Sequence, residues 1–147
     1  MITVRTAGAH DVPRILEIMR ASISPVWTKT TIQSELEKND SLFLVAIAGG
    51  IVAGFAVVRQ VGDDGELLQI AACSSSRRVG VGNTLMCAIL NYATEKNYEA
   101  MHLEVRSGNI AAIKLYEKHG FIKVRVRKDY YDAPLEDAIV MVRNMLV

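Results

Sequence analysis

Neither sign of charge dominates this 147-residue chain: 17 lysines and arginines stand against 16 aspartates and glutamates, a net of +1. A chain so balanced has no field with which to wrap nucleic acid or hold an anionic membrane, so any anion site must be local. Cysteine is scarce. Cys73 and Cys87 are the two present, with no metal-type spacing and no neighbouring base, and they read as reduced, packed thiols of a cytoplasmic protein. His10, His102 and His119 are scattered and supply no ligand set on one element, so no metal is expected. The N-terminus has no apolar stretch followed by a small-residue cleavage site, which argues against export. No linker, repeat or low-complexity stretch interrupts the chain, and residues 1–147 are read as a single domain. Half of the residues are hydrophobic, enough to pack an interior without disulfide staples.

The one long uncharged run, Leu42 to Val58, approaches the length of a membrane span. Its halves are rich in Val, Ile and Phe and meet at Gly49-Gly50, a pair able to take positive φ, so it reads as a buried hairpin. Elsewhere the periodicities change repeatedly. Ile2 to Thr6 alternates as a strand, and Asp11 followed by Pro13 predicts a helix start. Val12, Ile15, Leu16, Met19 and Ile23 give that helix an apolar face, and Ser24-Pro25 ends it. A second helix is expected near Thr30 to Lys38. Gly62-Asp63-Asp64-Gly65 turns into a strand from Glu66 to Cys73. Val81, Leu85, Met86, Ile89, Leu90 and Ala93 keep helical period between Gly80 and Lys96. Ala100 to Arg106 reads as a strand, and Asn109 caps a helix through Lys118 that Gly120 closes. Strands from Phe121 to Arg127 and Asp137 to Met145 finish the chain. The expected fold is α/β (α+β): a mixed parallel and antiparallel sheet of about seven strands flanked by about four helices.

Two segments point to chemistry. In Arg77-Arg78-Val79-Gly80-Val81-Gly82-Asn83, glycines fall where a helix begins, so free N–H groups and the helix dipole meet at a place where backbone can approach a phosphate. Leu85 stands where a dinucleotide fingerprint needs its third glycine, and there is no Gly-Lys-Ser/Thr of a P-loop. Anion binding survives; nucleoside triphosphate chemistry does not. In Glu104-Val105-Arg106-Ser107-Gly108-Asn109, continuing to Tyr116 and Phe121, a strand carboxylate shares a face with His102 and Arg106. Arg106 is its nearest candidate ion-pair partner. Tyr116 lies two helical turns after Asn109 and can look back toward the helix start.

Together these segments resemble the GNAT superfamily of acetyl-CoA-dependent N-acetyltransferases, over nearly the whole chain. Arg77 to Gly82 matches the superfamily's diphosphate-binding pattern. The EVRSGNIAAIKLYEKHGF segment, with Arg127 to Tyr131 and Glu136 to Met141, resembles the RimI-type branch, which acetylates the N-terminal alanine of a small-subunit ribosomal protein. The resemblance implies acetyl-CoA as cosubstrate and a protein N-terminus, from a ribosomal protein, as acceptor. It implies Glu104 as general base and Tyr116 as acid. Ile70, Ala71 and Ala72 would lie beside the thioester, Arg77 to Asn83 and Asn109 along the coenzyme, and Trp27, Tyr130 and Tyr131 by the acceptor, although packing explains these three aromatics equally well. Ala72-Cys73-Ser74 departs from the family's Val-Asp/His-Pro, and Ser76 stands where an aromatic is usual.

The chemistry needs such residues. A protonated α-amine has a pKa near 8 and cannot attack a thioester until a base removes its proton. A carboxylate in a partly desolvated sheet is suited to that task, backbone N–H groups to holding a developing oxyanion, and a tyrosine to assisting a departing thiolate. Direct transfer requires neither metal nor acyl-enzyme. Two other readings stay open: acetylation of a small-molecule amine, and a non-catalytic acetyl-CoA sensor. A monomer or weak dimer is expected.

Overall fold

The computed structural model describes residues 1–22, 26–76 and 79–146. Its seven strands form one sheet in the order β1-β2-β3-β4-β5-β7-β6. In chain order these are β1 (Ile2–Thr6), β2 (Ser41–Ala48), β3 (Ile51–Val61), β4 (Asp64–Ala72), β5 (Ala100–Arg106), β6 (Ile122–Asp132) and β7 (Leu135–Asn144). The α-helices among the described residues are α1 (Val12–Ser22), α2 (Lys29–Leu36), α3 (Val81–Glu95) and α4 (Ile110–Lys118). The expected architecture is the one observed. β4 and β5, joined through α3, are parallel, and every other neighbouring pair is antiparallel. Gly49 and Gly50, with φ of 61° and 78°, close the β2–β3 hairpin. No helix among the described residues is long and apolar enough to cross a membrane.

Each face of the sheet carries its own core. On one side α3 buries Val81, Leu85, Met86, Ile89, Leu90 and Ala93 against Leu67, Met101, Leu103 and Phe121. These are the six positions that the sequence period selects. On the other side Val12, Ile15, Ile18 and Met19 of α1 and Ile32 of α2 pack on Phe43, Val45, Phe55 and Val57. Burial of side chains of this kind is worth about 1.5–3 kcal/mol each, so the two layers supply most of the cohesion.

Some boundaries differ from expectation. Asp11 does not cap α1 from outside; it ends a 3-10 turn, Ala9–Asp11, that leads into the helix. Its carboxylate accepts from Gly8 N at 2.8 Å and holds Arg5 at 2.7 and 2.9 Å, which suits a carboxylate that is 4% exposed. Ile18, not Leu16, completes the buried face of α1. Ile23 and the Ser24-Pro25 stop lie outside the described residues. β6 runs five residues past Arg127, because irregular pairing between Arg127 and Tyr131 lets it resume against β7.

The feature that makes room for a site lies between β4 and β5. Their parallel pairing is confined to Gly65↔Met101, Glu66↔His102 and Leu67↔Leu103. Beyond it, Leu68 is an extra residue opposite β3, since Val58 pairs with Leu67 and Val57 with Gln69. Such a bulge bends and twists its strand. From there β4 stays with β3 while β5 stays with β7, and a wedge opens in the sheet.

Candidate active site

The wedge joins two cavities on opposite faces of the sheet. One, of about 520 Å³, is walled by Ile70, Ala71 and Ala72, by Gly80, Gly82 and Asn83 at the start of α3, and by Asn109, Leu115 and Tyr116 of the α4 region. The other, of about 290 Å³, is walled by Trp27, Glu66, Leu68, Gln69, Glu104, Arg106, Tyr130 and Tyr131, among others. Ser22, Ile70, Asn109 and Tyr116 line both, so the two are arms of one cleft. The structure therefore gathers every described residue singled out in the sequence, apart from exposed Val79 and buried Val81, around or beside one passage. Arg77 and Arg78 lie outside the described residues.

At the α3 end, Gly80 caps the helix in the left-handed conformation, φ 92°, without a side-chain cap. The first helical bond is Thr84 N to Gly80 O at 3.0 Å, so the N–H groups of Val81, Gly82 and Asn83 have no partner within the helix. They open toward the larger arm at the positive end of the helix dipole. Asn83 spends its side-chain oxygen on His119 Nε2, at 3.0 Å, which ties the start of α3 to the end of α4. That histidine was missed in the sequence, where it is one of three scattered rings. Burial, with help from Lys118 and Arg143, moves its pKa down. Val79 is exposed and Val81 is a core residue.

β4 supplies backbone donors to the wedge. Cys73 N donates to Ala53 O on β3 at 2.8 Å. Alternation then turns Ala71 N–H the same way, leaving Ile70 and Ala72 N–H to face the gap vacated by β5. Ala71 contributes its side chain to the core on the α1 side.

Glu104 enters the smaller arm from β5, with its side chain 28% exposed. It is not paired with Arg106, the neighbour two positions along. Pairing of β5 with β7 and of β7 with β6 brings Arg127 alongside instead: its Nε lies 2.6 Å from Glu104 Oε2. The N–H is not aimed at that oxygen, which is buried without a hydrogen bond. Tyr130 donates its hydroxyl to Glu104 Oε1 at 3.3 Å, and the carboxylate's charge raises the Tyr130 pKa. Arg106 reaches Pro134 O at 2.9 Å and Glu136 Oε1 at 3.2 Å, and its guanidinium lies 4.2 Å from the centre of the Tyr131 ring. The rings of Tyr130 and Tyr131 meet edge to face, 5.1 Å apart. The aromatics named from sequence thus wall the arm that contains Glu104. Tyr130 and Tyr131 do so from within β6 rather than beyond it.

Tyr116, 7% exposed, stands where the arms meet and packs edge-on against Phe121. Burial first, then Tyr131, pushes its phenol well above the ordinary tyrosine range. Asn109 caps α4 by accepting from Ala112 N at 3.2 Å. Among the described residues no group of three His, Cys, Asp or Glu is placed to hold a metal ion.

A sheet wedge flanked by an uncapped helix start defines a class, and residues 12–121 match the acetyltransferase (GNAT) family. The chain belongs to that family and is an acyltransferase. It is 30% identical to the [ribosomal protein bS18]-alanine N-acetyltransferase of Escherichia coli, over 96% of both chains. It is 33% identical to an N-alpha-acetyltransferase of Saccharolobus solfataricus, over 97% of this chain and 93% of that one. The crystal structure of the E. coli ribosomal-protein-S18-alanine N-acetyltransferase superimposes with a TM-score of 0.91 at 29% identity, covering 100% of this chain and 96% of the other. That of Ard1 from Thermoplasma volcanium gives 0.91 at 30% identity, covering 99% of each.

Proposed function

We propose that this enzyme acetylates the α-amine of an N-terminal alanine, on a small-subunit ribosomal protein, by direct transfer from acetyl-CoA. The relatives named for that reaction support the acceptor. The observation that carries the chemistry is the single cleft in which Glu104 lines the smaller arm and Tyr116 stands where the two arms meet. GNAT acetyltransferases generally use acetyl-CoA, and the larger arm suits it: unpaired N–H groups of Val81, Gly82 and Asn83 face a cavity of about 520 Å³ and would hold its diphosphate. When bound there, the thioester supplies an activated acetyl group.

The residues then divide the work. Trp27, Tyr130 and Tyr131 shape the entry for the acceptor. Glu104, freed from Arg127 and Tyr130 as the ammonium arrives, takes its proton. Ile70 and Ala72 N–H aim at the carbonyl oxygen as it gains charge. Tyr116 donates its phenol proton to the sulfur as the carbon–sulfur bond breaks, so coenzyme A leaves as the thiol, and the phenolate regains a proton, by way of solvent, from the nitrogen that becomes the amide. On this reading residues 1–147 form one catalytic domain, cytoplasmic and able to act as a monomer.

Incubation with acetyl-CoA and a peptide beginning Ala-Arg-Tyr, read by mass spectrometry, should place one acetyl group on the α-amine. Glu104→Gln should lower turnover at least about tenfold at neutral pH while keeping coenzyme binding. Wild-type turnover in that variant would remove Glu104 from the mechanism. Tyr116→Phe should slow the step that releases coenzyme A, and a full rate would remove Tyr116.

A further inference from the structure

We infer that Glu66 selects acceptors whose second residue is basic, by meeting the lysine or arginine side chain that follows the reacting α-amine. The inference rests on the proposal that Glu104 meets that amine. Glu66 is in register with His102 on the neighbouring parallel strand, so its side chain leaves the same sheet face as His102 and Glu104. Glu104 is two residues further along β5, about 7 Å. The side chain of a second-position lysine or arginine spans about that distance from the α-amine of an extended peptide.

Glu66 lines the acceptor arm and also a smaller hollow of about 240 Å³ that adjoins it, as does Glu104. The other carboxylates of these walls are engaged: Glu104 by Arg127 and Tyr130, and Asp64 by His102 at 2.8 Å. Glu66, only partly exposed, makes no hydrogen bond or close ion pair among the described residues; Arg59, opposite it on β3, feels its charge but gives its hydrogen bonds to Glu35. Its charge is nonetheless felt within the arm, at Tyr130. An independent observation points the same way. Gln69, three residues along β4 in the wall of the same arm, has a buried side-chain oxygen with no donor. A wall offering a carboxylate and an amide oxygen that both lack a hydrogen-bond donor calls for a ligand rich in N–H donors and positive charge. A peptide N-terminus followed by a basic side chain is such a ligand. Arg125 and Arg127, at the rim of the hollow, disfavour cations that do not reach Glu66 directly.

The test compares kcat/KM for peptides that differ only at the second residue, Ala-Arg against Ala-Gln, in the wild type, in the isosteric Glu66→Gln and in Glu66→Lys. The wild type should favour the arginine peptide about fivefold or more, through KM rather than kcat, with the preference eroding as salt is raised. In Glu66→Gln the ratio should fall toward one, and Glu66→Lys should favour an Ala-Glu peptide. A wild type without preference, or an arginine preference of equal size in Glu66→Gln, would overturn the inference while leaving the α-amine reaction standing. Faster acetylation of a free aliphatic diamine than of either peptide would overturn it in favour of a small-molecule acceptor. Failure to acetylate any peptide would remove the underlying reaction as well.

Discussion

Asp11 shows how much one side chain can hold. The Arg5 guanidinium, outweighing burial and aided by the Gly8 N–H, draws its pKa from 3.8 down to about 2. A carboxylate whose folded pKa lies below its unfolded value stabilises the protein above the unfolded value and loses that contribution as pH falls through the folded one. The contribution, on the order of 2 kcal/mol, should therefore be present at neutral pH and disappear between about pH 5 and pH 2. In Asp11→Asn the acid limb of a denaturation-midpoint profile should be shallower than in the wild type. Residue identities of the site were legible because they depend on local rules: alternation put Glu104 on one strand face, and helical period brought Tyr116 back toward Asn109. Their partners were not legible. Arg127, Glu136 and His119 reach Glu104, Arg106 and Asn83 across strand pairings or helix contacts that no local pattern specifies.

Helix α3 is the element on which coenzyme binding and stability both depend. Its first residue, Val81, packs on Gly54 of β3, where an added Cβ would lie 2.6 Å from Val81 Cγ1 and 2.8 Å from the Ala71 carbonyl oxygen. Gly54→Ala must displace either the helix start or β4. It should lower the melting temperature and raise KM for acetyl-CoA more than KM for the acceptor, as steady-state kinetics with each substrate varied would show. Leu85→Ala, at a fully buried position of the same helix, should cost about 2–5 kcal/mol in denaturant unfolding. On the opposite layer, Glu35 of α2 is 2% exposed and held by Arg59 and Lys38. Burial raises its pKa, but the Arg59, Ser41 and Lys38 bonds outweigh this and leave it lowered. Arg59→Ala would leave that buried carboxylate to Lys38 and Ser41 alone and should cost about 3 kcal/mol. The six buried positions of α3 stood out because nothing competes with a period sustained over four turns. The Leu68 bulge did not, because it carries neither glycine nor proline and is defined only by what β3 places opposite it.

At the scale of the molecule, the order of elements and the mixed sheet were readable from changes of period and from the glycine turns. The wedge was not, since it arises from β4 and β5 following different neighbours. Its presence has a kinetic meaning. Coenzyme and acceptor would arrive from opposite faces of the sheet, through arms that share four lining residues and little else. Neither visitor has to leave before the other enters, and no side chain need carry the acyl group in the interval. Initial-rate plots should consequently intersect rather than run parallel. Protein treated with radiolabelled donor alone should emerge from gel filtration without label.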